Sequence, residues 1–165
     1  MSGPSDAGHV LRWPPGFSPE CSDVWARSEL AVEAAPEVVF GHLIVVADWE
    51  RNFSGIRDVR LPAPGRSSLE PDSAFGFEVG GLRLSAQVIE FVAGCRLAWS
   101  GLGIDISAYH AWVVSGRLSR SRVLAGFAAR GAAAIALREP DPGAAQRALD
   151  RWVADLKTAA EKARA

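Results

Sequence analysis

The end of the chain constrains the fold most. From 142 to about 164, Ala145, Leu149, Trp152, Val153, Leu156, Ala160 and Ala163 fall on one helical stripe, with Arg147, Asp150, Arg151, Asp155, Lys157 and Lys162 elsewhere. Such a stripe needs an apolar surface to lie on, and the rest of the chain can supply one only as a sheet. An antiparallel sheet wrapped around one long helix leaves a cavity between the two, and cavities of that kind hold ligands.

The sheet is legible as a series of alternating segments. In 24–33, Val24, Ala26, Leu30 and Val32 alternate with Trp25, Arg27, Glu29 and Glu33, which reads as a half-buried strand. Pro36 suits a first helical position with Glu37 beside it, and Val39, Phe40, Leu43, Ile44 and Val46 give the apolar face of a short helix that fades over 48–52. Further strands are predicted at 56–61, 74–79, 82–91, 96–102, 105–115 and 121–131, with a Pro-, Gly- and Ser-rich loop over 62–72. Short glycine-containing links between successive strands imply antiparallel hairpins. Asp141 is expected as the N-cap of the last helix and Pro142 at its first position. The fold class is therefore α+β, with one domain over 23–165 and a flexible arm over 1–22.

That arm is dense in breakers: Gly3, Pro4, Gly8, Pro14, Pro15, Gly16 and Pro19. Trp13 and Phe17 fit either docking on the domain or a neighbour, or an unstructured leader.

Composition excludes several classes of function. With 165 residues, 48% hydrophobic and 22% charged, the chain suits a single globular core. A net charge of -1 gives no electrostatic support to nucleic-acid binding. Arg117, Arg120 and Arg122 read as a solvated hairpin tip. No stretch approaches the roughly 20 apolar residues of a membrane span, and the start does not resemble a secretory signal, so a cytoplasmic protein without membrane association is expected. Cys21 and Cys95 lack metal-ligand spacing and are expected to be reduced thiols.

Taking the more apolar set of each strand as inward leaves only Ser28 and His110 as inward polar residues. Phe75, Phe77, Trp99, Trp112 and Phe127 then face the helix together with small residues that include Ala108 and Ala125. An interior of that kind suits a flat, apolar, ring-containing ligand; the alternative is that these side chains close on one another as ordinary core. His110 is the acid/base candidate, since an imidazole titrates near working pH, or else a residue that only lines the wall. Asp48 and Arg51 are expected near the cavity mouth, as ligand contacts or as solvated surface, and Trp49 as a closing plug. Tyr109 falls on the outer face. His9, His42 and His110 are too scattered for a zinc site, and Gly101-Leu102-Gly103 is a hairpin turn, not a phosphate loop.

Several of these features together resemble a known family: Ala35-Pro36-Glu37-Val38-Val39-Phe40 running into Asp48-Trp49, the strand with Tyr109-His110-Ala111-Trp112, the late strand ending Arg130-Gly131, and the closing helix. Over about 24–163 the chain is similar to the START-like (SRPBCC) superfamily, specifically its bacterial polyketide cyclase/dehydrase and lipid-transport group. The resemblance implies a helix-grip fold, in which a seven-stranded antiparallel sheet grips the C-terminal helix and two small helices close one end. It implies a hydrophobic small-molecule site without metal, nucleotide or other cofactor. Relatives often carry acidic residues in the strand before the Arg-Gly pair, where this chain has Ala125-Gly126-Phe127-Ala128-Ala129.

Two functions are expected from this. One is a cofactor-free cyclase or cyclase/dehydratase of bacterial secondary metabolism, with His110 moving the proton on a polyketide-like or other apolar intermediate. The other is a non-catalytic carrier of a hydrophobic small molecule. The protein is expected as a monomer, or as a homodimer formed through an open sheet edge or through the arm.

Overall fold

Alternation of period two produces strands here and a period near 3.6 produces helices, so most elements fall where the hydrophobic pattern puts them. The computed structural model describes residues 8–61 and 63–163. Gly3 and Pro4 of the arm, Pro62 of the long loop and the last residue expected in the closing helix lie outside the described residues.

The strands β1 (Val24–Val32), β2 (Ile56–Arg60), β3 (Ala74–Val79), β4 (Leu82–Val92), β5 (Arg96–Gly103), β6 (Ile106–Arg117) and β7 (Arg120–Arg130) form one sheet. Its order is β1-β7-β6-β5-β4-β3-β2, with every neighbouring pair antiparallel. All links between β2 and β7 are hairpins, and only the pairing of β1 with β7 joins the start of the chain to its end. Between β1 and β2 lie α1 (Pro36–Ile44), a single 3-10 turn (Val46–Asp48) and α2 (Trp49–Asn52). The long helix α4 (Ala144–Lys162) lies on the concave face, packs along β1 and touches α1, burying Leu149, Trp152, Val153, Leu156 and Ala160. This is the helix-grip arrangement.

The free edge of β1 is braced by side chains of α4. Gln146 on α4 accepts the Arg27 N–H (3.3 Å) and donates to the Arg27 carbonyl (2.7 Å). Further along, Lys157 Nζ donates to the Ala31 carbonyl (3.0 Å) and Glu161 accepts the Glu33 N–H (3.0 Å). These side chains occupy the backbone groups with which another strand would pair.

Two features depart from the sequence expectation. First, Ala132–Arg138 forms a helix, α3, immediately after β7, in a segment where no element is predicted. Second, α4 begins at Ala144 with Gly143 at its N-cap, not at Pro142 with Asp141. The short turn out of α3 uses Asp141 otherwise: its carbonyl accepts the Ala144 N–H (3.1 Å) and its carboxylate pairs with Arg147.

The outer face of the sheet is also only partly wet. Leu11, Trp13 and Phe17 of the arm pack on Ala98, Tyr109 and Ala111. Ala98, Ala111 and Gly126 stand side by side on adjacent strands, so the arm lies in a groove lined by small residues. Arg96 is buried beneath it, pairing with Glu90 (2.8 Å) and donating to the carbonyls of Gly8 (3.0 Å) and Val10 (2.7 Å). His9 lies within hydrogen-bond distance of Ser115 Oγ (2.7 Å) and Glu29 Oε1 (3.2 Å), and Arg130 stands 5.0 Å from the Phe17 ring centre. Strand β6 records this cover in its sequence, since 108–114 is buried without a break, the pattern of a strand covered on both sides.

Candidate functional site

The concave interior is divided between a closed aromatic cluster and an open apolar cavity, and the residues at each level of the sheet decide which. In the row Phe127, His110, Trp99 and Val88 the side chains reach up beneath α4, and the first three form one wall of the open part. One level further, Ala129, Ala108 and Gly101 stand in a row, and small side chains there leave room.

Trp49 sits in the middle of the closed part. Its ring centre lies 5.4–6.0 Å from those of Phe53, Phe75, Phe77, Trp99 and Trp152, mostly edge to face. Its indole N–H donates to the Leu43 carbonyl (3.1 Å). The T-shaped packing and this one bond leave Trp49 fully buried and satisfied.

The open part has two adjoining lobes. A first, of about 80 Å³, is lined by Phe77, Leu84, Trp99, Gly101, Ala108, His110, Leu149 and Trp152. A second, of about 150 Å³, lies toward α3, against Val24, Leu82, Ile106, Ala129, Ala134 and Leu137. Val79, Phe127, Ala145 and Ala148 line both, so Phe127 and the start of α4 form the partition. The lining of the second lobe also includes Gly80 of the β3–β4 turn and Arg138, Asp141 and Pro142 of the α3–α4 connection.

His110 is the single ionisable group lining the first lobe. Its ring is boxed by Trp99 (4.8 Å), Trp112 (4.9 Å, stacked at 23°), Trp152 (4.8 Å, edge on) and Phe127 (5.9 Å). Loss of water pulls its pKa down to about 3, because no carboxylate is there to stabilise the charged form. The imidazole is neutral at neutral pH, and its Nε2 has no hydrogen-bond partner among the described residues.

The residues singled out from the sequence divide accordingly. Phe77, Trp99, Ala108, His110 and Phe127 line the first lobe. Phe75, Trp49 and Trp112 belong to the closed aromatic packing, and Ala125 and Ser28, which face each other across β7 and β1, are buried beside Trp112 and not among the lining. Asp48 and Arg51 form an ion pair (2.9 Å) on the surface at α2 and line neither lobe. Val79, Leu84, Ala145, Ala148, Leu149 and Trp152 line the cavity without having been singled out as site residues. The stripe of α4 contained the signal for Ala145, Leu149 and Trp152, because whatever the helix covers, its stripe also lines.

Among the described residues no three His, Cys, Asp or Glu side chains come together as a metal site would require. No helix among them is long and apolar enough to cross a membrane.

No family model matches the chain, and no curated protein matches it in sequence. Solved structures do match it in fold. A hypothetical protein from Helicobacter pylori superposes with a TM-score of 0.82 at 26% identity, covering 96% of this chain and 98% of its own. A START superfamily protein from Mycobacterium smegmatis matches with a TM-score of 0.56 at 11% identity, over 76% of this chain and 94% of its own. A protein of the dynemicin biosynthetic locus matches with a TM-score of 0.56 at 14% identity; it covers 84% of this chain, which spans only 48% of that one.

Proposed function

We propose, on the premise that this chain has the START-like helix-grip fold, that it binds a small, neutral, apolar molecule in the two-lobed cavity and carries it without transforming it. The observation that supports this reading is the cavity wall. Its charged or ionisable lining residues are His110 in the first lobe and Arg138 and Asp141 in the second. About 150 Å³ of apolar cavity is enough for a benzene-sized ring, which is the size of the second lobe.

A cyclase or dehydratase reading draws on the fold shared with the dynemicin-locus protein. It asks more of the wall than the wall supplies. An imidazole with a pKa of about 3 is a weak base at neutral pH, and its protonated form is too scarce there to serve as an acid. The first lobe holds no second titratable group that could share a proton with it.

Native mass spectrometry of the freshly purified protein tests the proposal. A retained apolar compound, released with its mass unchanged after prolonged incubation, is the expected result. Conversion of that compound to a product by the wild type but not by His110→Gln would replace the carrier reading with the enzymatic one. A protein that retains nothing and takes up no apolar ring compound would exclude both.

A further inference from the structure

Buried polar atoms without partners are uncommon, because each forfeits its hydrogen bonds to water and gains nothing in return. Three such atoms belong to neighbouring rings, His110 Nε2, Trp112 Nε1 and Trp152 Nε1, and two of these rings, His110 and Trp152, line the first lobe. The rings that carry them are mutual neighbours, with centres 4.9 Å apart for His110 and Trp112, 4.8 Å for His110 and Trp152, and 5.6 Å for Trp112 and Trp152. His110 and Trp152 line the first lobe, and Trp112 stacks on His110 behind it. All three residues are more than nine-tenths buried. Elsewhere in the same cluster Trp49 is just as deeply buried and has its carbonyl partner, so tight aromatic packing does not by itself deprive an indole of a hydrogen bond.

The chemistry of these atoms restricts what they would receive. An indole N–H is a donor only, and a neutral imidazole adds one donor and one acceptor. The lining of the lobe therefore offers the Trp152 donor and, at His110 Nε2, a second donor or an acceptor according to the tautomer. An ammonium has no lone pair to accept the Trp152 N–H and would bring an uncompensated charge into the lobe. A carboxylate would enter the first lobe as an uncompensated charge, since no cationic side chain lines it. A neutral carbonyl oxygen accepts two hydrogen bonds, carries no charge and sits at the end of an apolar skeleton.

We infer that His110 and Trp152 form a polar anchor in the first lobe for the carbonyl oxygen of a neutral, ring-sized ligand. The inference rests on the binding reading above and deepens it from an apolar ligand to an apolar ketone or aldehyde. The carbonyl end lies against the anchor, and the rest of the molecule extends past Phe127 toward the second lobe.

Acetophenone and α-methylstyrene make the test, because they share size and shape and differ in an oxygen replaced by a methylene. Binding of each to the full chain is followed by titration calorimetry and by the indole N–H signals in proton–nitrogen correlation spectra. Acetophenone should bind about tenfold more tightly, the worth of one or two neutral hydrogen bonds. It should also shift the Trp152 indole proton downfield, which α-methylstyrene should not do. Trp152→Phe and, independently, His110→Phe should shrink the preference to about twofold or less. Equal affinity of the wild type for both compounds, with unmoved indole signals, would overturn the anchor while leaving the apolar binding site standing. Failure of both compounds to bind would overturn the binding reading itself.

Discussion

Trp13 of the N-terminal arm lies directly over Gly126 in the middle of β7. A Cβ on Gly126 would stand 2.8 Å from Trp13 Cη2 and 2.5 Å from Leu11 Cδ1, closer than such atoms pack. Gly126 is not in the left-handed region, so the position needs glycine for room and not for backbone freedom. The groove and the arm are complementary halves of a second, smaller cluster on the outer face of the sheet.

Gly126→Ala should therefore destabilise the protein by about 1–3 kcal/mol, the usual cost of overpacking. In a Trp13→Ala, Leu11→Ala background the same change should cost much less, because the space it needs is already free. Urea denaturation of the four proteins in that cycle measures the coupling, and additive costs would show that the arm does not press on β7.

Ala108 and Ala125 both face the concave side, yet the structure separates them. Ala108 lines the first lobe, whereas Ala125 is fully buried among packed neighbours. Ala108→Phe should abolish ligand binding with little change in melting temperature, since the ring enters open space. Ala125→Phe should cost about 1–3 kcal/mol by overpacking. Melting curves read beside ligand titrations check both.

His110 makes a specific pH dependence. Its folded pKa of about 3 lies below the ordinary value of 6.5, so below pH 6.5 the unfolded chain binds a proton that the folded chain refuses. Above that value His110 therefore adds no pH dependence, and stability falls by about 1.4 kcal/mol per pH unit as the pH drops from 6.5 toward 3. His110→Phe should remove this slope while leaving the contribution of the carboxylates. Denaturation midpoints of both proteins between pH 4 and 7 give the difference, and parallel curves would mean that His110 is solvated.

Gln146 braces the edge of β1 through both its amide nitrogen and its oxygen on the backbone of Arg27. Gln146→Ala should lower stability by about 1–2 kcal/mol, the net worth of two hydrogen bonds at an exposed position. Hydrogen exchange at the Arg27 amide should quicken by more than at the amides of β6. Unchanged protection at Arg27 would assign the edge cover to Lys157 and Glu161 alone.

What the sequence determined by itself was period and order. Alternation located all seven strands to within a residue or two, and with them the face on which Phe77, Trp99, Ala108, His110 and Phe127 lie. The stripe of α4 required a concave partner. These features are local: the backbone alone makes a strand alternate and a helix repeat, so each segment carries its own signature. The helix α3 was legible in principle, since Ala132-Ala133-Ala134-Ile135-Ala136-Leu137-Arg138 is rich in strong helix formers. Its short length, with no polar stripe, obscured it.

Tertiary structure alone decided which inward side chains touch and which leave space. Phe75, Trp112 and Trp49 carry the same alternation or burial signal as Phe77 and Trp99, but they meet across the interior and close. Whether two inward residues meet depends on how far α4 stands from the sheet at that level, and that distance is set by side chains far apart in sequence. The same holds for the arm, whose Trp13 and Phe17 find their place only once Ala98, Ala111 and Gly126 from separate strands line up as a groove. Periodicity assigns a residue to a face; only the assembled faces decide whether that residue is packed against a neighbour or lines a cavity.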